Sequence, residues 1–488
     1  MKHLLILTFC FLILSGIIQG QTLIWDSIYK PAENDYADRA YAGCAAYDGN
    51  YLLGGYTTSF TIWVGDYYLM KIGKEGDTLW TATYGSAYRD YGEDIIELYD
   101  SGFAALGFGR VNNDAEDYRV RLYRTDSLGN LSWEKFYQGA SDLYAKGIVE
   151  TIDSGFAIVG YTYTTSNDIF VLRTDSLGDS LWLRTYGADN DEIGYDIQIT
   201  PDGGFLIATD YDTTASGSGD FHIMRLDANG DSLWSLVYDY GEYDGARAIE
   251  PSGDGNYLAA GLHTYIDPAI QQRMFAVKFQ EDGTVLWESS IYAGLTSTGT
   301  AICGASDGGA YLSGNASFTG ESSNIILARL AANGDSLWTA DYGGSSADYS
   351  HFIHQDDEDY IYVGGQYASS SYGDYYFLKI EDLTLDIEPP NNLQLPEDLV
   401  LHQNNPNPFN AATRINYCIP RQEYVELAVY NILGREVRTL FRGVKSAGEY
   451  FEIWDGKDSN GQEVSSGIYF YRLVMNNKSQ TRKMIMVK

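Results

Sequence analysis

Cysteine is scarce, four residues in 488, and one of them, Cys10, falls in an apolar N-terminal stretch. The remaining Cys44, Cys303 and Cys418 form an odd, scattered set, which excludes a disulfide framework and a thiolate metal cage. Basic charge is scarce too, 32 Lys+Arg against 67 Asp+Glu, for a net charge of −35. Such a surface repels phosphate backbones and anionic lipid, which argues against nucleic acid and membrane surfaces as partners. Beyond the first twenty residues no apolar run approaches the roughly 20 residues that cross a bilayer. The signatures Gly-x-Ser-x-Gly, His-Glu-x-x-His and Gly-x-x-x-x-Gly-Lys-Ser/Thr are all missing, so the sequence assigns no catalytic residue, cofactor or metal.

The chain is rich in Tyr (42), Gly (52) and Trp (9), a composition of strands joined by tight turns. Residues 1–20 read as a removable signal peptide: Lys2 and His3, an apolar stretch from Leu4 to Ile18, then Gly20. Charge is uneven. From Pro396 to Lys488 there are 12 Lys+Arg and 10 Asp+Glu, so the acidity lies in the residues before it.

Those residues repeat. Trp25, Trp80, Trp133, Trp182, Trp234, Trp287 and Trp338 recur at spacings of 49 to 55, all but the first within Gly-x-x-Leu-Trp or a near variant. Each period reads as four strands; in the fourth they fall near Tyr195–Thr200, Phe205–Thr209, Phe221–Leu226 and Ser232–Tyr238, with Asp-Gly and Asn-Gly supplying hairpin turns. The last period stops after Phe377–Ile380 without a Trp strand, whereas the chain opens with one, Thr22–Tyr29. The expectation for residues 21–382 is an all-β, seven-bladed β-propeller closed by its N-terminal strand, which removes exposed sheet edges.

Two repeated features have a packing reading and a functional one. Trp is followed four residues later by Tyr29, Tyr84, Tyr137, Tyr186, Tyr238 and Tyr342, on the same strand face: packing between sheets, or a platform for stacking sugars. An acid precedes each first turn, at Asp38, Asp90, Asp142, Asp191, Asp244 and Asp348, and is missing around Ser297. It suits side-chain hydrogen bonding in turns or between blades, or a ring of acids at one channel mouth that takes a cation. Cys44 and Cys303 occupy one repeat position as buried fillers. His351 and His354 are spaced to face opposite ways along a strand, which argues against a shared metal, and Asp356 to Asp359 read as a solvated turn. The Gly-x-x-Leu-Trp turn resembles the tryptophan-docking repeat of quinoprotein dehydrogenases, without any match to their cofactor-binding residues.

Residues 383–395, with Pro389-Pro390, read as a linker. Beyond it come LHQNNPNPFNAATRINYCIP, VELAVYNILGREVRTL, AGEYFEIWDGKDSNGQEVSSGIYFYRL and KMIMVK. In order, these blocks of 396–488 resemble the type A C-terminal sorting domain of the type IX secretion system, and also the immunoglobulin-like domain of flagellar hook-capping proteins. The motif residues are Asn405, Pro406, Asn407, Pro408, Phe409, Asn410, Gly434, Arg435, Trp454, Asp455, Gly456, Gly461, Gly467 and Tyr469. The residues themselves read as turns and alternating strands of a small antiparallel immunoglobulin-like sandwich. The resemblance implies recognition by outer-membrane secretion machinery and delivery through the periplasm to the cell surface or medium. The resulting expectation is an exported binding or interaction scaffold for surface polysaccharide or protein; the alternative is an extracellular hydrolase or lyase acting on polysaccharide or protein.

Overall fold

The computed structural model describes residues 21–487 except 31–37, 59–64, 87, 111–117, 164–165, 188–190, 212–218, 241–242, 267–269, 319–321, 345, 369–372, 383–398, 402, 405–406, 408, 410–412, 420–422, 446–447, 460–461 and 476–477. The leader, the linker, and Asn405, Pro406, Pro408, Asn410 and Gly461 lie outside the described residues, as do most residues of the loops after Thr57 and Tyr211. The chain divides into two compact units, Met1–Asp386 and Ile387–Lys488. Among the described residues no helix is long and apolar enough to cross a membrane.

The first unit is all-β and propeller-like, built from four-stranded antiparallel sheets. Six of these are continuous in sequence: 38–84, 90–137, 143–186, 192–238, 245–291 and 296–342. The seventh joins Tyr349–Gln355, Tyr360–Ala368 and Gly373–Asp382 to the N-terminal strand Gln21–Tyr29, with Leu23 opposite Ile380 and Tyr29 opposite Tyr375. This discontinuous sheet packs on both the first and the sixth. Tyr51 stacks on Tyr362 with centroids 4.2 Å apart, and the Tyr375 hydroxyl donates to the Tyr68 carbonyl at 3.1 Å. On its other side Trp338 Nε1 donates to Asp382 at 3.2 Å.

The repeated residues explain the sheets. Six of the seven Trp pack against the turn glycine of the next sheet, Trp25 on Gly76, Trp80 on Gly129, Trp133 on Gly178, Trp182 on Gly230, Trp234 on Gly283 and Trp287 on Gly334. Those glycines have φ between 76° and 85°, and a Cβ there would meet the indole in most cases at about 3 Å or less. The Tyr four residues on donates to the same turn: Tyr29 to the Gly76 carbonyl, Tyr84 to Gly129, Tyr137 to Gly178 and Tyr186 to Gly230. Opposite each Trp stands a basic residue, Lys71, Arg124, Arg173, Arg225, Lys278, Arg329 or Lys379. Six of them reach the first-turn acid of their own sheet: Lys71 to Asp48 (2.6 Å), Arg124 to Asp100 (2.7 Å), Arg173 to Asp153, Arg225 to Asp202 (2.7 Å), Lys278 to Asp254 (2.7 Å) and Arg329 to Asp307 (2.6 Å). Lys379 instead lies over the Tyr360 ring. These contacts tie strand to strand and sheet to sheet, so the aromatic repeats serve packing here.

The second unit is two antiparallel sheets. One orders Glu436–Lys445, Glu423–Asn431, Gly467–Met475 and Lys478–Met486; the other orders Val400–Leu401, Thr413–Ile419 and Gly448–Trp454. Alternate residues Val425, Leu427 and Val429, and Tyr471, Leu473 and Met475, point inward with Phe409 and the fully buried Trp454.

Candidate functional site

In every sheet of the first unit the ladder between the first and second strands carries one β-bulge, and its extra residue is Tyr41, Glu93, Lys146, Tyr195, Arg247, Thr300 or His351. An extra residue in one strand has no partner opposite, so its side chain is re-aimed. All seven line one cavity of about 1010 Å³, walled by the first strands of all seven sheets. Neighbours around this ring touch. Lys146 Nζ lies 2.8 Å from Glu93 Oε2, the Arg247 guanidinium 3.9 Å above the Tyr195 ring, and the Tyr41 and His351 rings meet edge to face at 5.6 Å. Thr300 donates to the Ser350 carbonyl at 2.7 Å, and Arg247 Nη2 is 3.1 Å from Asp210 Oδ2.

Three further carboxyl groups on these first strands face the cavity, Asp94, Asp196 and Glu250. Asp94 accepts from the Ile148 amide at 2.9 Å and Asp196 from the Ile249 amide at 2.8 Å, each reaching a neighbouring sheet. Burial pushes Asp94 up to about 8, with the charge of Asp196 adding to it and backbone amides opposing. Burial pushes Asp196 up to about 6 and Glu250 well above the carboxylate range, the latter helped by Asp196 and Asp94. Asp94 therefore keeps its proton at neutral pH, and Glu250 binds one more readily than a free carboxylate, while Asp196 is largely ionised there. Burial, with Lys146 nearby, lowers His351 to about 4, so its ring is neutral.

His351 and His354, expected to face apart, both line this cavity, as do Phe352 and Ile353 between them. The bulge between Ser350 and Phe352 breaks the alternation on which that expectation rested. Asp356, Asp357 and Asp359 stand at the same wall, Asp356 accepting from the Glu358 and Tyr360 amides in its turn.

The six repeated acids are elsewhere; none lines the cavity. Asp38, Asp90, Asp244 and Asp348 are fully buried, and Asp142 and Asp191 are more open. Their oxygens engage nearby chain: Asp38 takes the Thr57 hydroxyl, Asp90 the Ser86 amide (2.7 Å) and Arg121 (2.9 Å), Asp142 the Tyr118 amide (3.0 Å) and Asp191 the Asn167 amide (2.7 Å). Asp244 takes the Tyr240 and Thr264 amides at 2.8 and 2.6 Å, Asp348 those of Gly344 and Ala368 at 2.6 and 2.9 Å. In the unit that lacks the acid, Ser297 Oγ accepts from the Met274 amide at 3.1 Å. Asp220, Asp239 and Asp244 bring oxygens within 4.8 Å of one another, but both oxygens of Asp244 are held by those amides.

The bulge ring was missed from sequence because a bulge leaves no residue-type signature. Its one signal is position, three or four residues beyond the repeated acid or Ser297.

In the second unit most of the described motif residues hold its own fold together. Asn407 Oδ1 accepts from the Ile485 amide at 2.9 Å, and Phe409 packs on Trp454 at 5.6 Å. Trp454 Nε1 donates to the Lys457 carbonyl at 2.9 Å, and Asp455 binds Arg438 at 2.8 Å. Gly456 has φ 69° and its carbonyl accepts from the Val464 amide; Gly467 opens the strand in which the Tyr469 hydroxyl donates to the Ser465 carbonyl at 2.7 Å. Gly434 (φ 75°) and Arg435 form an exposed hairpin turn.

No curated protein matches the chain. Among solved structures, PorZ, an essential surface component of the type IX secretion system of Porphyromonas gingivalis, is similar at 13% identity and TM-score 0.40 over 94% of this chain and 60% of PorZ, so the chain spans less than two thirds of that protein. A protein of unknown function from Dyadobacter fermentans is similar at 11% identity and TM-score 0.46, over 75% of this chain and 100% of the other. The Pan2 WD40 domain of Neurospora crassa is similar at 10% identity and TM-score 0.45, over 73% of this chain and 95% of the other. Likenesses at these scores assign neither fold nor function. Residues 413–479, the larger part of the second unit, match the family model of the FlgD Ig-like domain.

Proposed function

We propose that this chain is an exported surface scaffold: the first unit is a closed seven-bladed propeller whose central cavity seats a ligand, and the second unit is the sorting domain that delivers it. The observation that carries the binding half is the bulge ring, in which all seven first strands send one extra side chain into a single cavity. Bulges that re-aim side chains are concentrated at functional sites. The ring's charges are paired locally, Glu93 with Lys146 and Arg247 with Asp210, and interleaved with hydroxyls and tyrosines. That lining suits a polar surface polymer, sugar or protein, better than a free anion. Wild-type and Glu93→Gln/Arg247→Met chains compared on glycan arrays and against cell-surface extracts test it; equal profiles from the two would refute the cavity as the seat.

Delivery is tested by expressing the full chain and a chain ending at Leu395 in a type IX-competent host. Retention of only the shortened chain in the periplasm is the expected result, and equal distribution of both overturns the sorting role.

A second reading, hydrolase or lyase, draws on the protonated carboxyl groups of the cavity, a pattern common among catalytic acids. Turnover of an extracellular polymer that disappears in Asp94→Asn would establish it.

A further inference from the structure

The sorting motif residues described above are mostly buried or engaged, which leaves open what a partner would touch. One turn carries two adjacent exposed apolar side chains. Between Glu423–Asn431 and Glu436–Lys445, Ile432 is 69% exposed and Leu433 86%, the most exposed large apolar side chain among the described residues. The hairpin tips at Leu128 and Leu177 each expose one such side chain, at 69% and 66%, beside a serine; here two stand together, and the pair gains nothing within its own turn.

The turn is rigid. Asn431 Oδ1 accepts from the Leu433 and Arg435 amides, both at 3.0 Å. The Asn431 amide donates to the Arg435 carbonyl at 3.0 Å, and the Gly434 amide to the Asn431 carbonyl at 2.9 Å. A turn fixed in advance loses little entropy on docking.

Beside the apolar pair is an uncommitted cation. Arg438 is paired with Asp455, Arg442 with Glu426, Arg472 with the Tyr430 hydroxyl and Arg482 with the Leu401 carbonyl. Arg435 has no such partner among the described residues and is exposed.

We propose, resting on the sorting role above, that the tip Ile432-Leu433-Gly434-Arg435 is the docking peg of the second unit. Its partner is a protein with an apolar pocket that takes Ile432 and Leu433 and a carboxylate at the rim that meets Arg435. Charge selects this occupant over a lipid surface, where stable anchoring draws on several cations together and on more apolar surface than two side chains.

The test uses the full chain in a type IX-competent host, with the chain ending at Leu395 as reference. Ile432→Ser/Leu433→Ser keeps Asn431 and Gly434, so the turn and the melting temperature stay unchanged while surface and medium delivery drops roughly tenfold. Normal export of this variant with retention of the Leu395 truncation overturns the peg and leaves the sorting role intact. Normal export of both overturns the sorting role, and the peg with it. Should the double variant melt early, Arg435→Glu serves in its place, with a drop of roughly fivefold expected and unchanged export overturning the proposal. Purified full chain that binds phosphatidylglycerol vesicles through Ile432 and Leu433 would make the tip a lipid contact and overturn the protein pocket.

Discussion

Asp94 shows how position alone changes what a carboxyl group does. In the unfolded chain it titrates near 3.8; in the cavity wall it holds its proton to about 8. Below pH 4 both states are protonated and the folded state carries no penalty. As pH rises toward 8 the unfolded chain releases a proton that the folded chain retains, so stability falls through that window. His222, His263 and His351, lowered to about 4 by burial, act in the opposite sense, but their contribution is complete above their ordinary 6.5. Between pH 6.5 and 8.5 the melting temperature should therefore drop by a few degrees. Asp94→Asn, which keeps a carbonyl acceptor for the Ile148 amide, should flatten that slope in calorimetry. An unchanged slope would remove Asp94 as its source. None of this was legible in sequence, where Asp94 is one of 67 acids. The acids that repetition singled out, Asp38 to Asp348, are those that hold backbone amides and neighbouring side chains.

At the scale of the element, the Trp, Tyr and Gly series was readable because each residue type answers one physical need: a large apolar plate, a hydroxyl to reach a carbonyl, and a positive φ. Trp287 is 8% exposed and packs on Gly334. Trp287→Ala should cost about 3–5 kcal/mol in denaturant unfolding. Tyr137→Phe keeps the ring and removes only its 2.7 Å bond to the Gly178 carbonyl, so about 0.5–1.5 kcal/mol is expected. A Tyr137→Phe effect as large as that at Trp287 would mean that the hydroxyl, not the ring, holds the sheets together. The bulges were unreadable for the complementary reason. Tyr, Glu, Lys, Arg, Thr and His all occupy the extra position, since what the bulge demands is a register slip and not a side chain.

For the whole molecule, the pairing of Gln21–Tyr29 with Gly373–Asp382 joins the two ends of the first unit. Trp25 and Tyr29 on that strand also grip Gly76 of the first sheet, and the fully buried Arg329 of the sixth sheet meets the fully buried Asp382 at 3.1 Å. A chain that begins after Tyr29 would expose the edge of Gly373–Asp382 and leave the Gly76 turn uncovered. It should melt at lower temperature and aggregate in proportion to concentration, as light scattering would show; a monomeric, equally stable product would mean the strand is dispensable.

The sequence by itself determined the all-β class, the period, the turns and the pairing of the first strand with the last, because these follow from local rules of φ, alternation and spacing that each repeat restates. It also marked the second unit, whose motif residues are mostly the fixtures of its own fold. Only the tertiary structure decided which side chains share the cavity, that His351 and His354 both border it, and that burial raises three carboxyl groups from separate sheets. Those properties depend on bulges and on distances between different sheets, to which no single repeat of about fifty residues refers.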